Sequence, residues 1–173
     1  MGKLHLITGD IIDNSIGMDA IVNAQNKYMI KGGGICGAIY NAAGIKLEEY
    51  CKETYKTYMQ DKEVRITPGF NLNLDIIHIL APKHHEQENP IEALIDTYKN
   101  LLTSITNNNY KKVLLPSLGT GFHGYKHNEV SKPVINLLYN YCNTNNVDIY
   151  FINLNKEITS IYEEVLKELK KER

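Results

Sequence analysis

A chain of 173 residues is long enough to bury one sizeable core and short for two. Its composition, 43% hydrophobic and 23% charged, is that of an ordinary globular domain, and a formal net charge of -1 with a pI near 6.6 supplies no basic field to gather nucleic acid. Three widely spaced cysteines, Cys36, Cys51 and Cys142, form no C-x-x-C pair, which argues against a zinc site or disulfide framework and fits a reducing compartment. No segment is apolar over the length of a membrane span, and MGKLHLITGD lacks the apolar run of a signal peptide. The expectation is a soluble, cytoplasmic protein.

In chain order, KLHLITGD reads as a short strand ending in a Gly-Asp turn, and DAIVNA as a second strand, apolar enough for burial on both faces. GICGAIYNAA reads as a helix opened by glycines. KLEEYCKETYKTYMQ reads as another, with Leu47, Tyr50, Cys51 and Tyr55 along one stripe. VRITPGFNLN and DIIHILAP read as two strands joined by a short turn. HHEQENP is the most loop-like patch. PIEALIDTYKNLLTSITNN is an amphipathic helix opening on Pro90, a favoured first position. KKVLLPSLGTG is a buried strand running into a second glycine-rich loop. NEVSKPVINLLYNYC is a helix that holds Pro133 in its first turn if it begins late. VDIYFINLN is the last strand and KEITSIYEEVLKELKK the last helix; Lys167, Lys170, Lys171 and Arg173 alternate there with glutamates as a solvated face. This alternation predicts one α/β domain over residues 1–173, with helices on both faces of a mostly parallel sheet.

Gly32, Gly33 and Gly34 stand at the mouth of a helix, where glycine costs backbone entropy and so requires a reason. A glycine-rich turn feeding a helix exposes N–H groups, and the helix dipole adds partial positive charge, so the place suits phosphate. Neither glycine loop is a G-x-x-x-x-G-K-[ST] loop or a G-x-G-x-x-G fingerprint. A flexible helix entry would explain the first loop alone. Two facing loops suit the two sides of a diphosphate.

These residues carry a family resemblance. GDI, DAIVNAQN, KGGGICGAIYNAAG, IIHILAP and LLPSLGTGFHGY follow one another in the order of the macrodomain signature, over nearly the whole chain. The resemblance implies a three-layer α/β/α fold with a mixed, mostly parallel central sheet flanked by helices. It implies a bacterial-type domain that binds ADP-ribose, free or on mono-ADP-ribosylated proteins, with no metal or redox cofactor required; charge and hydropathy, as above, give no expectation of a membrane or nucleic-acid partner. By the same resemblance Asp10 accepts from the adenine amino group and Ile11 offers its backbone nearby. Asn26 holds the distal ribose and Asn23 fixes the loop. Gly32, Gly33, Gly34 and Ile35 surround that ribose and the diphosphate, Gly119, Thr120, Gly121 and Phe122 cradle the diphosphate, and Leu154 and Asn155 lie against the adenosine.

Two positions depart from the family. Cys36 stands where a hydrolytic branch has an Asp proposed to help activate water, and His123 stands where a Tyr or Phe packs on the distal ribose. His123 either polarises water or protonates the leaving carboxylate, or simply stacks. Cys36 is either a nucleophile with a pKa lowered at a helix N-terminus or a small residue packed beneath the loop. Gln25 in NAQN is read as a minor change. Elsewhere His78 reads as a satisfied core histidine, Lys83-His84-His85 as a surface loop, His127 as solvated at a helix start, and Tyr125 as packing. Three functions remain in view: a hydrolase that removes mono-ADP-ribose from an ester-type linkage, with Asn26 and His123 as catalytic candidates; a reader that binds without chemistry; and a hydrolase of a free ADP-ribose metabolite.

Overall fold

The structure, a computed structural model, describes residues 1–172; Arg173, the last residue of the C-terminal charged run, lies outside the described residues. The chain runs β1 (Leu4–Thr8), β2 (Ala20–Ala24), α1 (Gly34–Ala43), α2 (Ile45–Thr54), β3 (Val64–Pro68), β4 (Asp75–Ile79), α3 (Pro90–Asn107), β5 (Lys112–Pro116), α4 (His127–Asn145), β6 (Asp148–Asn153) and α5 (Lys156–Lys171). The six strands form one sheet in the order β1-β6-β5-β2-β4-β3, parallel throughout except for β3, which runs antiparallel to β4. This is the mixed, mostly parallel sheet that the sequence predicts.

Alternation along each strand separates two cores. Val22, Ile77, Ile79, Leu115 and Phe151 point to one face, against Leu94, Tyr98, Val134, Leu138 and Tyr162 of α3, α4 and α5. Ile21, Ile76, Leu114 and Ile152 point to the other, against Ile39, Tyr40, Leu47 and Cys51 of α1 and α2. Both faces of β2 are covered, which explains its unbroken apolar run.

Three local expectations are corrected and a fourth is refined. The second helix ends at Thr54, not at Gln60. The Arg65 guanidinium donates to the carbonyls of Thr57 (2.9 Å) and Tyr58 (3.3 Å), and Met59 N–H donates to Lys27 O (2.8 Å), so tertiary bonds hold this stretch in another shape and override its helix propensity. The strand in VRITPGFNLN stops at Pro68 and gives way to a short 3-10 turn at Phe70–Leu72. α4 begins at His127, which places Pro133 in its interior and not in its first turn. HHEQENP contains a 3-10 turn at His84–Glu86, and His84 N–H donates to His123 O (2.9 Å), tying this turn to the second glycine loop.

The topology creates one natural crevice. β2 and β5 are neighbours, yet the chain leaves β2 for α1 on one face and leaves β5 for α4 on the other. Such a point, beyond the carboxyl ends of parallel strands, is where open α/β sheets bind ligands. α3 braces the loop after β5: the buried Tyr98 hydroxyl accepts from Leu118 N–H at 2.8 Å. Tyr98→Phe leaves that N–H without an acceptor and should cost about 1–3 kcal/mol of stability, measured by chemical denaturation; an unchanged midpoint would show that Tyr98 braces nothing.

Candidate functional site

A cleft of about 630 Å³ opens at this switch point. Its floor is the ends of β2, β5 and β6 at Ala24, Pro116 and Ile152. Asn26, Gly32, Gly33, Gly34, Ile35 and Cys36 form the wall on the α1 side. Ser117, Gly119, Thr120, Gly121, Phe122 and His123 form the facing wall, and His127, Asn153, Leu154 and Ile158 close the end on the α4 and α5 side. Among the predicted site residues, Asp10, Ile11 and Asn155 do not line it. Asp10 is exposed and accepts Ile12 N–H and Asp13 N–H on Oδ1 (2.9 and 3.0 Å), while Ile11 packs in the α1-side core. Asn155 caps α5, its Oδ1 accepting from Ile158 N–H at 2.9 Å. Asp10 follows Gly9, whose N–H donates to the carbonyl of the cleft residue Asn153.

The first wall presents bare backbone. No side chain caps α1 and no acidic residue stands in its first turn, so its N–H groups face the cleft. Gly34 has φ +54, a left-handed conformation that side chains resist. Gly33 lines the cleft, and a Cβ there would meet nothing within 4 Å. The Ile30 carbonyl anchors this loop, accepting from Gln25 Nε2 (3.0 Å) and Asn26 Nδ2 (2.7 Å).

Gln25 is not a minor change but the hub of a buried network. Its Oε1 accepts from Asn23 Nδ2 (3.0 Å) and from the Tyr40 hydroxyl (3.0 Å), and lies 2.9 Å from His78 Nδ1. His78 Nε2 pairs with Thr67 Oγ1 at 2.9 Å, so both ring nitrogens have partners and His78 is the satisfied core histidine expected. Burial pushes its pKa down to about 3. Asn23 fixes the loop from within, as expected, with its Oδ1 left unpartnered.

Cys36 belongs to this network. Its sulfur contacts Asn23 Nδ2 (3.8 Å), Gln25 Nε2 (3.6 Å) and the Ile30 carbonyl (3.7 Å). Burial pushes the thiol above its ordinary value, with the hydrogen bonds to sulfur working the other way. Of the two readings of Cys36, packing beneath the loop is the one this geometry supports, and no hydrogen bond joins it to His123.

The second wall is backbone as well. Among the described residues, the N–H groups of Thr120, Gly121, Phe122 and His123 have no protein acceptor. Gly119 (φ +77) admits no Cβ, which would lie 2.7 Å from the Tyr125 ring; Tyr125 itself packs and donates to Pro90 O at 2.9 Å. Phe122 at the rim is 95% exposed and Leu154 78%, two apolar side chains left open on the cleft's edge. His123 is half-buried, with Nδ1 enclosed and unpartnered. His127 is not solvated as expected: it is half-buried, with Nδ1 2.7 Å from the Tyr162 hydroxyl. No Asp or Glu lines the cleft, so an anion meets no like charge there. No cluster of metal-ligating side chains occurs among the described residues.

The comparisons agree with this geometry. A Macro domain family profile matches residues 22–134. An O-acetyl-ADP-ribose deacetylase of Citrobacter rodentium is 31% identical over 170 residues, covering 95% of this chain and 95% of its own. A Macro domain-containing protein of Chlorobaculum tepidum is 37% identical over 124 residues, 70% of each chain. The solved Oceanobacillus iheyensis macrodomain with ADP matches with a TM-score of 0.87 at 30% identity, over 96% of this chain and 90% of that one.

The buried network makes stability pH-dependent with a definite sign. Below about pH 6.5 the unfolded chain protonates His78, whereas the folded chain refuses the proton until about pH 3. Stability therefore falls as pH drops through that window, by up to about 1.4 kcal/mol per unit. Denaturation at a series of pH values checks this, and His78→Gln should show a shallower slope. Gln25→Ala, which unties the Ile30 carbonyl and orphans its neighbours, should cost about 1–3 kcal/mol; unchanged stability would show that the network does not depend on Gln25.

Proposed function

The chain belongs to the macrodomain family, and from that premise we propose that its cleft binds ADP-ribose and hydrolyses an ester carried on the terminal ribose. O-acetyl-ADP-ribose is the free metabolite of that class, and the relatives bearing its name support it. The ester joining ADP-ribose to a glutamate or aspartate side chain of a modified protein has the same chemistry, and the proposal extends to it. The observation that carries the binding half is the pair of facing backbone walls, the uncapped start of α1 and the unpaired N–H groups of Thr120–His123, across a cleft without carboxylates. Such donors fit the two phosphates of a diphosphate.

In this reading the terminal ribose lies against Asn26 and Gly32. The Asn26 amide is held by Ile30 O and by the N–H groups of Tyr28 (3.1 Å) and Ile30 (3.3 Å), which leaves it a second N–H for a ribose hydroxyl. Phe122 and His123 flank the same ribose from the other wall. Asp10 keeps one carboxylate oxygen for the adenine amino group, since Oδ1 is occupied by its own turn. Leu154 offers the adenosine an exposed apolar surface, while Ile11 and Asn155 support this end from behind.

Hydrolysis adds water to the ester carbonyl and breaks the acyl–oxygen bond to the ribose. The water's proton goes to a base, the ribose oxygen regains one, and the acid leaves as carboxylate. With no Asp or Glu in the cleft, the Cys36 thiol held protonated and His127 tied through Nδ1 to Tyr162, His123 is the residue assigned to that proton transfer. The missing carboxylate and the protonated thiol favour a second reading, a domain that binds ADP-ribose and leaves its esters intact.

Calorimetry with ADP-ribose and release of acid from the two ester substrates separate the readings. Binding with release supports the hydrolase; binding without release supports the reader; no binding overturns both. His123→Phe should keep binding and slow release by at least about 100-fold, the scale of a lost general base. Gly33→Glu should fold normally, because its side chain enters open space, and lose ADP-ribose binding to collision and charge repulsion. Asp10→Ala should weaken binding by about 1–3 kcal/mol; unchanged affinity would place the adenine elsewhere.

A further inference from the structure

His127 is a cleft residue that the reading above leaves without a task. It opens α4, is half-buried, and stands at the end of the cleft that it shares with Ser117, Asn153 and Ile158. One ring nitrogen is engaged: Nδ1 lies 2.7 Å from the Tyr162 hydroxyl, and the two rings meet edge to face at 5.6 Å and 87°. Tyr162 is fully buried in α5 and does not line the cleft. The other ring nitrogen, Nε2, has no protein partner among the described residues and is not enclosed.

We propose that His127 reads the bound nucleotide: Tyr162 donates its phenolic proton to Nδ1, which fixes the ring proton on Nε2 and presents that N–H to an oxygen of the adenylate half of ADP-ribose. The direction of the first bond follows from burial. The enclosed phenol stays protonated, since burial, the larger effect, holds it above its ordinary value and the nearby Ser117 hydroxyl, whose own proton goes to Asn153, only partly offsets this. Among the described residues Nδ1, at 2.7 Å, is the one partner at hydrogen-bond geometry from the buried Tyr162 hydroxyl, so it is the acceptor that the hydroxyl requires. An imidazole that accepts on one nitrogen carries its proton on the other. Beside it Asn153 is oriented in the same way: Ser117 Oγ donates to its Oδ1 at 2.9 Å, which leaves the Asn153 amide N–H groups facing the cleft. Two donors thus stand fixed at the end opposite the α1 loop. The choice of ligand half rests on the proposed ADP-ribose reading: with the terminal ribose against Asn26 and the α1 wall, the adenylate lies at the His127 end. Tyr162 touches no ligand and is a positioning residue.

The test has a spectroscopic and a binding arm. In the nitrogen-labelled chain, the imidazole signals lost in His127→Phe identify this ring, and the expected signature is a neutral Nε2–H tautomer, retained in wild type and lost from a single form in Tyr162→Phe. By calorimetry, His127→Phe should weaken ADP-ribose and AMP alike, by about 10-fold each. Tyr162→Phe should weaken both by about 3-fold, and His127→Gln, which restores a donor, should lie within about 3-fold of wild type. An Nδ1–H tautomer in wild type, wild-type affinity in His127→Phe, or weakening confined to ADP-ribose would each overturn the proposal. Failure of the wild-type chain to bind ADP-ribose would instead overturn the functional reading, while the tautomer signature still decides whether Tyr162 sets the ring.

Discussion

The cleft depends on holding backbone N–H groups bare. An unpaired N–H gains nothing from the fold and invites collapse of its loop, so the surrounding structure must keep it open. On the α1 side the work falls to buried amides. Gln25 and Asn26 converge on the Ile30 carbonyl, and Gln25 is itself held by Asn23, Tyr40 and His78. A loop without side chains of its own is thereby held by side chains beneath it. The uncapped first turn of α1 follows directly, since a capping side chain would occupy the place an anion takes.

The opposite wall solves the same problem with longer reach. Tyr98 on α3 takes Leu118 N–H, Tyr125 fills the space that Gly119 leaves, and His84 N–H takes the His123 carbonyl. Tyr98 and His84, both distant in sequence, and Tyr125 at the loop's own end clamp it on either side of Thr120–His123 and leave its N–H groups free. The sheet supplies the frame, because adjacent strands β2 and β5 launch their helices to opposite faces and part the two walls. Charge follows the same plan: the cleft has no carboxylate, and its one thiol is buried and held protonated.

Much of this was legible in the residues. The alternation of apolar strands with amphipathic helices dictated the three layers, and the two glycine loops announced a place where backbone meets ligand. The first-loop residues Gly32–Ile35 and the second-loop residues Gly119–His123 do converge on one cleft. What local pattern concealed was long-range pairing. Gln25 looked like a neutral exchange because its partners lie on β4, α1 and the loop at Ile30. His127 looked solvated because Tyr162 is 35 residues away in sequence. The second helix looked longer because nothing in KTYMQ announces that Arg65 will take its carbonyls. Asn155, an adenosine contact by the resemblance alone, is in this fold the residue that caps α5.

The central claim is that a diphosphate is gripped by the bare backbone of both walls. Amide chemical-shift mapping during titration with ADP, which offers the diphosphate and no ester to cleave, tests it most directly. The account predicts that the largest displacements fall on Gly33, Gly34 and Ile35 and on Thr120, Gly121, Phe122 and His123, together and at one saturating concentration. If ADP moved the amides of only one wall, or left both still while shifting residues elsewhere, the two loops would not form a diphosphate site.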